Sequence, residues 1–131
     1  MAITFQVDID ISQLKGLENE TRRAQDRAMD KSLDWLTERA RVYPPVRPSS
    51  TYVRTGDHKR GVIRLKRSFT SGEVKWTDRY SRGGREYAHW VRDSQRQAAV
   101  HRGRWPTDRD IAKEATQKIK GFYEGEFNKL K

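Results

Sequence analysis

Cysteine is missing from the chain altogether. Its absence excludes disulfides, thiolate zinc sites and cysteine nucleophiles, and fits a reducing compartment. Long apolar runs are missing too. No stretch approaches the ~20 residues of a membrane-spanning helix, so no membrane partner is expected. Histidine is sparse. His58, His89 and His101 are scattered, with no pair at metal-binding spacing and no HExxH motif. Ser49, Ser50 and Ser68 lack the turn that activates a serine nucleophile. Gly83-Gly84 is too short and isolated to cradle a phosphate. Asp78, Glu86 and Asp93, with Lys75, have the composition of a metal-nuclease cluster. They stand among arginines on expected loops, where ion pairing accounts for them better. The chain therefore reads as non-enzymatic, with no metal and no cofactor expected.

What the sequence has in excess is positive charge. Lys and Arg number 28 against 18 Asp and Glu, a formal net charge of +10. The surplus is concentrated. From Tyr52 to Arg104 there are 14 Lys and Arg against 5 Asp and Glu, a surplus of nine, and the flanks are close to neutral. Such a face points toward polyanions or acidic protein surfaces. The 131 residues suffice for one domain with one core. Hydrophobic residues make up 34% and charged residues 35%, so that core is thin. Four Trp, five Tyr and four Phe partly compensate. The same balance suits a subunit whose core is completed in an assembly.

Taken in order, Ile3, Phe5, Val7 and Ile9 alternate with polar residues and predict a strand over residues 2–9. This acidic, alternating start reads as a strand and not as a secretory signal. Asp10 or Ser12 is expected to cap a long amphipathic helix over about residues 12–42. Its apolar stripe is Leu14, Leu17, Thr21, Ala24, Ala28, Trp35, Leu36 and Ala40, and Gly16 weakens its first turn. The charges on its other face read as a solvated surface. Pro44, Pro45 and Pro48 end it and predict a stiff loop over 43–56. A basic β-hairpin region follows at 57–104. Val62, Ile63 and Leu65 form one strand, Ser71-Gly72 the turn, and Val74 and Trp76 the return strand. Residues 78–86 read as a loop, Tyr87–Val91 as a further short strand or one helical turn, and 95–104 as a loop or edge strand. Thr107 with Asp110 is a capping box for a C-terminal helix over about 108–129. Its stripe is Ile111, Ala115, Ile119, Phe122 or Tyr123, Phe127 and Leu130. The expected fold is α+β, an antiparallel sheet of about four strands packed against the long N-terminal helix and the C-terminal helix.

The residues expected to face DNA or a partner are the cations Arg54, Lys59, Arg60, Arg64, Lys66, Arg67, Arg79, Arg82, Arg85, Arg102 and Arg104. Tyr80, Trp90 and Trp105 stand among them as stacking platforms. No helix-turn-helix, RNP-type aromatic signature or zinc finger accompanies them, so sequence-specific readout is not expected.

Three features in order resemble the tailed-phage neck and tail-completion proteins, the minor tail or head–tail joining components. They are Ala40-Arg41-Val42-Tyr43-Pro44 at the end of the first helix, the turn Arg54-Thr55-Gly56, and Tyr87-Ala88-His89-Trp90-Val91-Arg92-Asp93. In the last motif the family's acid is replaced by Arg92 or shifted to Asp93. The resemblance implies a structural virion protein, assembled in the host cytoplasm. It implies a homo-oligomeric ring, often a hexamer, between the head connector and the tail tube, with DNA passing through the lumen. The alternative read from charge alone is a non-specific DNA-binding protein with a basic sheet and loop face.

Overall fold

The computed structural model describes residues 2–11, 14, 16–42, 60–77, 92, 94 and 105–130. The loop expected at 43–56, the Thr55-Gly56 turn, the loop at 78–86, the strand or turn at Tyr87–Val91 and the segment 95–104 lie outside these residues.

The fold is α+β. Strand β1 (Ala2–Gln6) is followed by helix α1 (Glu18–Arg41), strands β2 (Val62–Lys66) and β3 (Ser71–Trp76), and helix α2 (Asp108–Asn128). Among the described residues the sheet has three antiparallel strands in the order β1-β3-β2. The fourth strand expected from the sequence falls outside them. In the register Ile3 lies opposite Val74, and Val74 opposite Arg64. Period-two alternation then puts Ile3, Phe5, Gly72, Val74, Trp76 and Val62 on one face. Both helices cover that face. Met29 and Leu33 of α1 lie over Gly72, and Ile119, Tyr123 and Phe127 of α2 approach the β1 end.

Helix α1 starts later than its pattern predicts, at Glu18 and not near residue 12. Gly16 has a φ of +84°, a left-handed conformation that stops helix propagation, so the glycine breaks the pattern and does not merely weaken it. The N-cap is Leu17, whose side chain makes no capping bond; Glu18 and Glu20 in the first turn complement the helix dipole instead. Strand β1 is also shorter than expected and ends at Gln6, although Val7 and Ile9 still pack against the core. The N-terminus of α2 is as expected. The Thr107 hydroxyl accepts from Asp110 N at 3.2 Å, and the Asp110 carboxylate accepts from Thr107 N at 3.0 Å.

The hairpin turn is displaced from the Ser71-Gly72 expected of it. Residues 67–70 make the turn, closed by Arg67 N and Ser68 N, each donating to Ser71 O at 3.0 Å. Gly72 belongs to β3 and is glycine for space. A Cβ there would stand 2.9 Å from Phe5 Cζ and 3.0 Å from both Leu33 Cδ2 and Met29 Sδ. The residue lets α1 and β1 close down on the middle of the sheet.

The core joins Ile3, Val62, Val74 and Trp76 to Met29, Leu33 and Leu36 of α1 and to Ile111, Ala115, Ile119 and Tyr123 of α2. Ser32 and Thr37 are buried as well. Each hydroxyl donates to the carbonyl one turn back, Ala28 and Leu33 respectively, so neither is left unsatisfied. Burying each large apolar side chain stabilises the fold by roughly 1.5–3 kcal/mol, and the two helical stripes supply most of these side chains.

Candidate functional site

Three polar arrangements hold the elements in place, and they decide which charges remain for other work. The first joins the helices. Glu126 is only 1% exposed at its side chain. It accepts from Arg27 Nε at 2.9 Å, Lys31 Nζ at 2.6 Å and Lys129 Nζ at 3.2 Å. The bonds from Lys31 and Arg27 hold its carboxyl at about 2, well below the usual carboxylate range. At the other end of the same interface Arg39 grips Glu114 with two bonds, at 2.7 and 3.0 Å. That bond lowers the pKa of Glu114 and raises that of Arg39. The early part of α1 thus meets the end of α2 and the late part meets its start, so the helices run antiparallel.

The second arrangement lies at the β2 edge. Asp26, Asp30 and Asp34 recur one turn apart along α1. Lys66 Nζ reaches Asp26 at 2.6 Å and Asp30 at 3.0 Å, and Arg64 pairs with Asp34, with Asp30 at 3.8 Å. The bonds to Asp26 and Asp30 raise the Lys66 pKa. Arg67 bonds Glu73 at 3.1 Å across the hairpin. The sequence assigns Arg64, Lys66 and Arg67 to an external partner, whereas in the fold each has a counter-ion within the chain. Arg60 is exposed beside the start of β2. Arg54, Lys59, Arg79, Arg82, Arg85, Arg102 and Arg104 lie outside the described residues, as do the three histidines, Asp78, Glu86, Asp93, Tyr80 and Trp90.

The third is a buried arginine that sequence reasoning passed over. Arg92 is fully buried. Its guanidinium donates to Pro106 O at 2.8 Å, Val42 O at 2.6 Å and Ala40 O at 3.4 Å. It lies over the Trp105 ring, 4.8 Å from the centroid. A cation here meets the carbonyl end of α1, where the helix dipole is negative, and ties it to the chain entering α2. Trp105, expected as a stacking platform, is itself buried and serves this clamp.

Among the described residues one side of the core borders a groove. It holds about 520 Å³ and runs between β1, with its extension to Asp10, and helix α2. Phe5, Val7 and Ile9 line it from the strand side, and Ala112, Ile119 and Phe127 from the helix. Five of the six partly buried hydrophobics that flank the core, all except Trp35, line this groove. Tyr123 lines it as well. Its hydroxyl donates to Phe69 O at 2.5 Å, and burial, followed by the charges of Asp26 and Asp30, raises its pKa so that it stays a donor.

Among the described residues no group of His, Cys, Asp and Glu is placed to hold a metal ion. No described helix is long and apolar enough to cross a membrane. No protein-family model, curated protein or solved structure matches the chain.

Proposed function

We propose that this chain is a structural subunit of a tailed-phage virion, a neck or tail-completion component that joins head connector to tail tube as part of a ring. The observation that carries the reading is the apolar groove that the described residues leave beside the core. Apolar side chains that a self-sufficient domain of this size would cover are instead gathered along a groove at a sheet edge. That is how a subunit looks when its burial is completed by neighbours. The resemblance of its feature order to the neck proteins supports that location. The cations expected between residues 79 and 104 would then serve the DNA-filled lumen or an acidic neighbouring ring. The test is particle composition. Mass spectrometry of purified virions should find the chain at a fixed low copy number, and disrupting its gene should leave filled heads and tails unjoined. Its absence from particles would overturn the reading.

The surplus of nine positive charges in 52–104 favours a second reading, non-specific DNA binding. That reading predicts duplex affinity falling steeply with salt, as several phosphate contacts require. The internal counter-ions of Arg64, Lys66 and Arg67 weigh against it, because those cations would have to leave aspartate or glutamate partners first.

A further inference from the structure

Among the described residues the seam between α1 and α2 collects more cations than it balances. Arg27, Lys31 and Lys129 all bond one carboxylate, that of Glu126. Lys31 Nζ at 2.6 Å and Lys129 Nζ at 3.2 Å share its Oε1, and Arg27 Nε takes Oε2 at 2.9 Å. Three positive charges thus meet one negative charge. Helix α1 does not cancel the remainder. Arg23, Arg27 and Lys31 follow at steps of four residues, so like charges stand one above the other, an arrangement that costs stability by itself. Arg23 forms no ion pair among the described residues. Asp26, Asp30 and Asp34 are already engaged by Lys66 and Arg64, and Glu20 stands in the first turn, at the positive end of the helix dipole.

The cluster faces water. Glu126 is 1% exposed at its side chain, whereas Arg27, Lys31 and Lys129 are 51%, 49% and 64% exposed. The buried carboxylate is therefore a floor that fixes three cations in place with their outer sides wet. Arg27 spends only Nε on it. Its two terminal nitrogens make no bond among the described residues, and they form a planar pair of donors that fits an oxyanion. Room is left as well. Lys118, Gly125 and Lys129 share one face of α2 by helical spacing. Gly125 is exposed, with nothing within 4 Å of the place a Cβ would take, so the backbone next to Glu126 lets a ligand come close. We infer that this seam binds a phosphate group, with Arg27 as the bidentate donor and Lys31 and Lys129 as the flanking charges. A dianion matches the two charges left over once Glu126 is counted. The site needs only the two described helices and none of the cations that the sequence assigns to DNA or a partner, so it stands or falls apart from the virion role.

The test is calorimetric titration of the full chain with inorganic phosphate at about pH 8, where the ion carries close to two charges, against chloride at equal ionic strength. Phosphate should bind at one site and raise the Tm by about 5 °C at about ten times its dissociation constant. Arg27→Gln and Lys129→Gln should each weaken binding by about tenfold. Lys113→Gln removes the same charge from an exposed position on another face of α2 and should bind as wild type. Gly125→Leu leaves every cation in place and favours the helix, yet should also weaken phosphate binding by about tenfold. Its Tm without phosphate should not fall, which separates loss of the site from loss of the fold. A duplex DNA fragment distinguishes the sources of the phosphate. If the group belongs to a polynucleotide, duplex binding falls with Arg27→Gln and inorganic phosphate competes with it. If it is a free phosphate, duplex binding is indifferent to Arg27→Gln while phosphate binding is not. Phosphate no better than chloride overturns the inference, and so does an equal loss in Arg27→Gln and Lys113→Gln.

Discussion

Replacing Arg92 by methionine removes the guanidinium and keeps most of the side-chain volume. Two short charge-assisted bonds are lost, to Val42 O and Pro106 O, together with a weak one to Ala40 O and the stack on Trp105. A hydrogen bond to a charged group contributes roughly 1.5–3 kcal/mol net. Two considerations reduce the sum. Val42 is 52% exposed, so water can reach its carbonyl once the arginine is gone. The desolvation cost of burying a cation is also recovered when an apolar side chain takes its place. The expected loss is about 2–4 kcal/mol, a large part of the roughly 5–15 kcal/mol that holds an ordinary domain together. For a chain of this length that corresponds to a fall in Tm of about 8–15 °C, followed by circular dichroism. Arg92→Lys keeps the charge but loses the planar fork, and should fall between the two. If the methionine variant melts within about 2 °C of wild type, the clamp does not join the end of α1 to the start of α2 in the way described.

Glycines should respond with opposite signs. Gly72→Ala forces a Cβ against Phe5, Leu33 and Met29 and should cost about 1–3 kcal/mol, whereas Gly121→Ala and Gly125→Ala, with open space around them, should each add about 0.8–1 kcal/mol by helix propensity; urea midpoints separate the cases. The Glu126 carboxyl, held at about 2, contributes stability that is complete above its unfolded value near 4.5 and is lost as pH falls from there toward 2. Because Arg27 and Lys31 are about half exposed, that loss should be about 1–2 kcal/mol, and Glu126→Gln should flatten the urea midpoint over this pH window. Lys66→Met should change stability by no more than about 1 kcal/mol, since its partners Asp26 and Asp30 are half exposed; a drop like that of Arg92→Met would mean the β2 pairs are far more shielded than they are.

The apolar pattern marked most of the architecture. Stripes at helical spacing located α1 and α2, and alternation located β1 and β3, because each of these elements buries one face and leaves the other wet, while β2 was read from its cluster of branched apolar residues. The capping box at Thr107 and Asp110 was readable because both partners lie within one turn. What escaped the sequence depends on residues far apart in the chain. Gly72 looks like a turn residue next to Ser71, and only the approach of Phe5, Met29 and Leu33 explains it. Asp26, Asp30 and Asp34 look like a solvated helix face until Arg64 and Lys66 are brought across from β2. Glu126 interrupts an apolar stripe and reads as its edge, yet three cations make its burial tolerable. Arg92 looked like a flaw in a motif, and carbonyls from two distant segments are what it answers. The basic stretch was legible as charge, but nothing in its composition separates cations balanced inside the fold from those turned outward.

The pairing of Ile3 with Val74 has a consequence for how the molecule is made. Among the described strands β1 has no neighbour until β3 has been synthesised, roughly 70 residues later, which at about 5–20 residues per second is a wait of several seconds. Through that interval Phe5, Val7 and Ile9 stay open to solvent on a segment with strong sheet character. Asp8 and Asp10, set directly among them, give the waiting nascent strand a repulsive charge that protects it from sticking to its copies on neighbouring ribosomes.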